Sequence, residues 1–470
     1  MVFWEYDMWS SMIQIGILCL ILLLSNILRR KVPFLRKSLL PTAVIGGFVT
    51  LILKSIGLLD NILITDFLDK ITYHALCIGF IALGLKTAYG QGELQNKKVL
   101  KDGINSGLII VGTYLIQAVI GLGITIVLAY TIFPDLFAAS GILLPLGFGQ
   151  GPGQANNFGT NFELQYGFIG GKSFGLSIAS LGFIWACALG VIYMNYLIRK
   201  GKLTRNDNKK TGETNIGELV SQEDEIPLAE AIDKFTVQIC LVMLVFMTSF
   251  GFMWGFDKLF IETGIFGNFG VNTLRPLIWG FNFIFGTLFA LLYKKIFRGL
   301  KSVHLMNRVY TNNFMLNRIA GVVFDFMIIA AISAINIEVM SDLWVPFFII
   351  TTFGGVITFL YVKYLSKIFY KDYKIPGFLA MYGMLTGTAS TGVALLREVD
   401  PDFKTPASNN LVTGSTAAIV FGFPLMLIIG LAPNMPGLAW IILLFFFLVI
   451  NILLFRAQLK RKFQKKSQNQ

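Results

Sequence analysis

The sequence predicts an all-α polytopic membrane protein with two inverted-topology repeats of five transmembrane helices, followed by one C-terminal helix. Of its 470 residues 55% are hydrophobic and only 14% are charged, whereas a soluble protein carries about 25% charged residues. Apolar runs of about 20 residues recur, and each is long enough to cross a bilayer as a helix. A short glycine-rich segment interrupts this pattern at corresponding places in the two halves.

The charge distribution, the cysteines and the motifs of the chain argue against several classes of function. A net charge of +13 would suit a nucleic-acid partner, but the basic residues flank apolar runs and we expect none. The four cysteines lie inside apolar runs without metal-ligand spacing, which is typical of small buried side chains. Because no nucleophile–base motif is present either, we expect neither an enzyme nor a bound cofactor.

The basic residues orient the first repeat, residues 1–198. Clusters such as Arg29–Lys31 and Arg199–Lys200 follow the first and fifth apolar runs, and such clusters lie in the cytoplasm in most membrane proteins. The N-terminus is therefore expected outside the cell. The five predicted spans of this repeat are residues 9–28, 39–58, 71–88, 103–132 and 168–197.

The second half follows the same plan after a polar segment, residues 199–232, which we interpret as a cytoplasmic linker. The second repeat, residues 233–431, is followed by residues 432–470, which form one more helix and a basic tail. This tail places the C-terminus in the cytoplasm. The predicted spans are residues 235–256, 274–292, 319–337, 345–361, 411–431 and 438–454.

The first glycine-rich segment, residues 136–165, begins with an apolar run, Leu136–Leu146, of only about a dozen residues, which is too short to cross the bilayer comfortably. Span four is predicted to end outside and span five inside, so this segment must enter and leave from the outside as a re-entrant hairpin. Its glycines disfavour a continuous helix, and its amides replace the apolar residues of a lipid-facing helix. The candidate site residues are Gly149, Gln150, Gly151, Gly153, Gln154, Asn156 and Asn157.

The second segment, residues 376–408, contains the stretch Met381–Gly392, which is again short and is rich in glycine and hydroxyl groups. By the same parity argument it enters from the cytoplasmic side. Paired glycine-broken segments in two inverted halves indicate the binding site of a secondary transporter, although glycines also occur simply where helices pack closely. The candidate residues here are Thr386, Gly387, Thr388, Ser390, Thr391 and Arg397.

These residue types suit an anion and a sodium ion. Helix N-termini attract carboxylates, and unwound carbonyls and hydroxyl groups are suitable ligands for sodium. Arg397 could bind a substrate carboxylate, or it could pair with Glu398, Asp400 or Asp402, or face cytoplasmic water. Asp325 stands within an apolar span, where ionisable residues are expected to be functional.

Two interpretations of Asp325 stay open. The carboxylate could carry a proton or bind sodium together with Ser390 and Thr391. Alternatively, it forms a salt bridge with Arg318 or turns into the protein interior.

Several of these motifs together resemble the sodium:glutamate symporter family. They are Leu40-Pro-Thr-Ala-Val-Ile-Gly-Gly47, the sequence ending at Gly84-Leu-Lys86, the core Gly149-Gln-Gly-Pro-Gly153, Tyr166-Gly-Phe168 and the segment Gly383–Gly392. Gln150 stands where the family has His, Thr42 replaces an acidic residue, and Leu395 replaces an Asn. The resemblance implies a homodimer in the bacterial inner membrane that moves one helix bundle against a scaffold.

Residues and resemblance together predict sodium-coupled symport of an acidic amino acid such as glutamate by alternating access. A sodium- or proton-coupled carrier of another organic anion, such as a dicarboxylate, is the first alternative. An ion channel is the second, and a membrane scaffold or sensor without flux is the third.

The predicted orientation can be tested with single cysteines in intact cells. A cysteine replacing Lys172 should react with a membrane-impermeant maleimide from outside, because this residue follows the outward-facing hairpin. A cysteine replacing Lys209 should react only after the membrane is opened. The reverse pattern would contradict the predicted topology.

Overall fold

The computed structural model describes residues 4–86, 97–201, 234–264, 270–306, 310–401 and 404–468, together with residues 203, 266, 267 and 308. All regular structure in these ranges is helical, as the sequence predicts. Eight of the helices are long and apolar enough to cross a membrane, which makes this a multi-pass membrane protein. Most of the predicted linker, residues 199–232, lies outside the described ranges.

The helices of the first half are α1 (Tyr6–Lys31), α2 (Pro33–Ser38), α3 (Thr42–Ser55), α4 (Thr65–Leu85), α5 (Lys97–Thr131), α6 (Pro152–Tyr166) and α7 (Gly171–Arg199). A 3₁₀ turn (Ala138–Ile142) and a π-helical turn (Pro145–Gln150) connect α5 to α6. Together with α6 they form the first glycine-rich segment.

The helices of the second half are α8 (Lys234–Thr263), α9 (Arg275–Gly280), α10 (Asn282–Ser302), α11 (Asn313–Ser333), α12 (Trp344–Phe369), α13 (Lys374–Thr386), α14 (Ala389–Arg397), α15 (Ala407–Leu431) and α16 (Pro436–Gln468). Helices α13 and α14 form the second glycine-rich segment. The cap of α11 shows how the sequence starts a helix, because Asn312 Oδ1 accepts a hydrogen bond from the Met315 N–H over 2.9 Å.

Two predicted spans differ from the structure. Span two was expected over residues 39–58, but α3 has only 14 residues. Leu39 adopts a left-handed φ of 61° and Pro41 caps the helix, so no helix continues backwards through them. Span seven was expected over residues 274–292, but it is interrupted at Phe281 between α9 and α10.

The interruption of span seven is held by side chains from other helices. Tyr73 Oη of α4 donates to the Trp279 carbonyl over 2.8 Å, and Asn157 Nδ2 of α6 donates to the Gly280 carbonyl over 3.0 Å. Broken backbone at membrane depth is tolerated only where such partners exist. Neither bond joins residues close in sequence, which is why the sequence did not predict this break.

The helices pack into two groups. The first group contains α1, α3, α4 and α8 to α11, and the second contains α5, α7 and α12 to α16. Helix α6 packs on α7 of the second group and also contacts α4, α9 and α11 of the first group. Each half of the chain contributes its first three predicted spans to the first group and its remaining elements to the second. The opposite insertion of the two halves stays a prediction.

The start of the first glycine-rich segment packs directly on α5. A Cβ added to Gly141 would lie 1.9 Å from the Gly121 carbonyl oxygen, so the two backbones touch. Thr125 Oγ1 reinforces the contact by donating to the Ala138 carbonyl over 2.8 Å and accepting from the Gly141 N–H over 3.2 Å. Only glycine permits this approach.

Adding one methyl group at this contact should therefore destabilise the protein. We expect Gly141→Ala to lower the thermal unfolding midpoint, because overpacking of a tight contact costs about 1–3 kcal/mol. Gly251→Ala in α8 is the matched control, because nothing lies within 4 Å of a Cβ added there. Fluorescence-detected size-exclusion chromatography after heating measures both. Equal midpoints for the two variants would contradict the proposed packing.

Candidate functional site

The first break in the helical structure lies at Gly151. The π-helical turn ends at Gln150, Gly151 adopts φ 92° and ψ −178°, and α6 starts at Pro152. This positive φ is strained for any residue with a side chain, and proline is well suited to the first position of a helix. The local sequence Gln150-Gly-Pro152 therefore stops one helix and starts the next.

The second break lies between α13 and α14. Helix α13 ends at Thr386, Gly387 adopts φ −134° and ψ −106°, and Thr388 is extended before α14 begins. Helix α7 runs close behind it, since a Cβ added to Gly182 would lie 2.2 Å from the Thr386 carbonyl oxygen. The glycine on α7 thus lets the backbone of the break approach closely.

The two breaks meet in space. A Cβ added to Gly151 would lie 3.5 Å from Thr388 Cγ2 and 3.9 Å from the Gly387 carbonyl oxygen, so the two tips are in van der Waals contact. The N-terminal ends of α6 and α14 therefore adjoin each other. Their first N–H groups have no acceptor within their own helices, and the positive ends of both helix dipoles lie here.

Helix α5 supports both breaks through residues that are not predicted from the sequence. Tyr114 Oη donates to the Gly149 carbonyl over 3.0 Å. Gln117 Nε2 donates over 2.9 Å to the Leu385 carbonyl and over 2.9 Å to Thr358 Oγ1 of α12. The sequence does contain one indication of this role, because Gln117 is a polar residue within an apolar span.

Buried amides surround the first break without hydrogen-bond partners. Neither the nitrogen nor the oxygen of the side-chain amides of Gln150 and Gln154 has a partner in the described structure, and the Asn156 side-chain oxygen lacks one too. Gln154 is only 1% exposed and Asn156 only 4%. An unsatisfied buried polar group costs about 1–3 kcal/mol, so a ligand that supplied partners here would gain binding free energy.

A comparison with known families decides what kind of protein carries this site. The family model described as sodium/glutamate symporter matches residues 7–267, which is more than half of the chain and includes the whole first break. The chain belongs to the sodium/glutamate symporter family. No curated protein and no solved structure is significantly similar to it. The family is one of transporters rather than enzymes.

The structure of this family member brings together the two candidate segments, but not all of their residues. Gly149, Gly151, Gly153, Gln150 and Gln154 lie at or next to the first break, and Thr386, Gly387, Thr388 and Thr391 lie at the second. Thr388 Oγ1 and Thr391 Oγ1 lie 3.4 Å apart. Thr386 Oγ1 instead donates to the Tyr382 carbonyl of its own helix over 2.7 Å.

Three other candidates lie on exposed surfaces. Ser390 is exposed in the first turn of α14, and Arg397 is exposed at the opposite end of that helix. Asp325 is exposed on α11, a helix of the first group. Met327, two residues later on the same helix, contacts Gly153 of α6. Asp325 and Arg397 stay predictions as site residues.

Asp400 and Asp402 are two of the alternative partners predicted for Arg397. The Asp400 carboxylate forms hydrogen bonds within its own loop. It accepts them from the Lys404 N–H, the Thr405 N–H and Thr405 Oγ1. Burial raises the pKa of Asp400, but these hydrogen bonds outweigh burial and hold the pKa below its usual value. Asp402 lies outside the described residues.

The chemistry around the tips is neutral and rich in oxygen. Among the described residues, no group of three or more His, Cys, Asp or Glu side chains converges as a transition-metal site would require. Amide, hydroxyl and carbonyl oxygens are instead the groups present, and these are suitable ligands for a hard monovalent cation. The adjoining helix N-termini add donors for an anion.

Two substitutions test whether the first break forms the site. We expect Gly151→Leu and Asn157→Ala each to abolish substrate uptake while leaving expression intact. The first forces a side chain onto a positive φ against Thr388, and the second removes the amide that holds Gly280. Leu164→Ala, at a 79% exposed position of the same helix, is the control. Near-normal uptake in both site variants would exclude the first break from the site.

Proposed function

We propose that this protein is a secondary active transporter that couples the entry of a small organic anion, an acidic amino acid such as glutamate, to sodium. The observation that carries the proposal is the contact between Gly151 and the Gly387–Thr388 tip. It joins two helix N-termini beside buried amides without partners. Membership of the sodium/glutamate symporter family supplies the substrate class and the coupling ion.

In this proposal the substrate carboxylate accepts hydrogen bonds from the free N–H groups at the starts of α6 and α14, where the helix dipoles favour negative charge. The amide nitrogens of Gln150 and Gln154 provide further donors. Because these donors are uncharged, the positive charge that balances the anion comes from the helix ends and from the ion that is transported with it.

Sodium would be held by oxygen atoms of the same two tips. The candidates are the side-chain oxygens of Gln150, Gln154, Asn156, Thr388 and Thr391, together with carbonyl oxygens freed by the breaks. Sharing ligands between two segments makes ion binding depend on their contact. Binding of the ion would thereby organise the substrate site, which is the basis of coupling.

Alternating access would follow from movement between the two helix groups. Helix α6 lies between them, so a displacement of one group relative to the other changes which side of the site is covered. The proposal also includes a homodimer in the bacterial inner membrane with the N-terminus outside and the C-terminus in the cytoplasm.

The main alternative is a carrier of another organic anion, such as a dicarboxylate, coupled to sodium or to protons. Gln150 favours this alternative, because it replaces the histidine that the family pattern has at this position. An amide neither titrates nor carries charge at neutral pH, so the tip presents a different donor set to the substrate.

Uptake into proteoliposomes tests the proposal. Radiolabelled glutamate is supplied with an inward sodium gradient, and we expect saturable accumulation that is lost when choline or potassium replaces sodium. Unchanged uptake without sodium would contradict sodium coupling, and loss of uptake with an uncoupler would indicate protons. Competition by unlabelled dicarboxylates separates the substrate classes. Flux that does not saturate would indicate a channel.

A further inference from the structure

An ion pair joins the two helix groups near the turn between α6 and α7. Lys172 Nζ of α7 lies 2.8 Å from Asp69 Oδ2 of α4, and the two side chains are only 18% and 28% exposed. The other carboxylate oxygen of Asp69 is buried and has no hydrogen-bond partner. The interaction therefore combines charge with a hydrogen bond, in a place where both side chains are partly shielded from water.

The backbone around Lys172 is held in place for this contact. Glu163 Oε2 accepts a hydrogen bond from the Lys172 N–H over 3.1 Å, which ties the end of α6 to the start of α7. Ser173 Oγ accepts from the Asn336 N–H over 3.0 Å, and a Cβ added to Gly170 would lie 2.7 Å from Val339 Cγ1. The turn between α6 and α7 thus rests on residues that follow α11 of the first group.

The two glycine-rich segments differ in how far the first group covers them. The N-terminal half of α6 is buried, with Gly153 against Leu76 of α4 and Met327 of α11. Helix α14 instead packs on α7, α13 and α15 of its own group, and Ala389 and Ser390 at its start are exposed. The site between the tips is therefore closed along α6 and more open along α14.

We propose that the Lys172–Asp69 ion pair is a latch that keeps the α6 side of the site closed. This inference rests on the proposed function, since a latch has a role only if the two groups move. For α6 to separate from the first group, the ion pair and the Asn157–Gly280 hydrogen bond must both break. The strength of the ion pair then sets the equilibrium between the closed and the opened α6 side.

The same region offers a matched ion pair that does not join the groups. Lys70 Nζ lies 2.6 Å from Asp66 Oδ2 within α4, and these side chains are 66% and 72% exposed. Pairs of this kind within one exposed helix face contribute little. Removing Asp66 therefore changes the local charge by the same amount without opening the contact between groups.

The test measures thiol labelling at Asn161, a half-buried residue of α6 that faces Pro276 and Leu277 across a cleft. In a parent whose four native cysteines are replaced by alanine, Asn161→Cys reports opening along α6. We expect Asp69→Asn and Lys172→Gln each to raise the labelling rate about fivefold or more, as is typical of a lost coupling interaction. Asp66→Asn should leave the rate unchanged.

Two further variants keep the test decisive if a single substitution impairs folding. The exchanged pair Asp69→Lys with Lys172→Asp should return the labelling rate toward that of the parent. The double variant Asp69→Cys with Lys172→Cys, linked by a short bifunctional methanethiosulfonate, should lose sodium-driven uptake and regain it on reduction. Size-exclusion chromatography identifies the folded variants that are compared.

The outcomes separate the latch from the proposed function. Unchanged labelling in both folded single variants, or full uptake by the cross-linked protein, would overturn the latch. If the parent takes up no glutamate but labelling rises as expected, the latch stands and the substrate assignment fails. If uptake is sodium-dependent while labelling does not respond, the transport proposal stands and the latch is wrong.

Discussion

The need to satisfy backbone hydrogen bonds inside a bilayer is the constraint on which the rest of this structure depends. A continuous helix satisfies its own N–H and C=O groups, and an interrupted one does not. The protein interrupts its helices at Gly151, Gly387 and Phe281. At each of the three places, side chains or backbone from distant parts of the sequence lie against the interruption. The helices that carry these partners therefore have to pack beside the interruptions.

This arrangement gives α6 an unusual position. It belongs to the second group through α7, yet it also packs against α4, α9 and α11, and the glycine and amide residues of its N-terminal half are buried. The Asn157 amide satisfies a carbonyl of the interrupted span seven, so two interruptions stabilise each other across the boundary between groups.

The sequence could predict the helical class and the two glycine-rich segments because these depend on local composition. Apolar runs and alternating glycines are visible within a few residues. The interruption at Phe281 was missed because its partners, Tyr73 and Asn157, lie far away in the chain. Asp325 shows the opposite difficulty, since a carboxylate within an apolar run signals importance but does not reveal which way its helix faces.

The hydrogen bonds of Gln117 and Tyr114 have a mechanical consequence. These two residues are separated by less than one turn of α5, and they fasten Gly149 of one segment and Leu385 of the other. The spacing between the two tips is thus fixed by a single short piece of helix. In the proposed transport cycle, a shift of the second group as a unit would carry both tips as one body, and a solute bound between them would keep its ligands while it crosses.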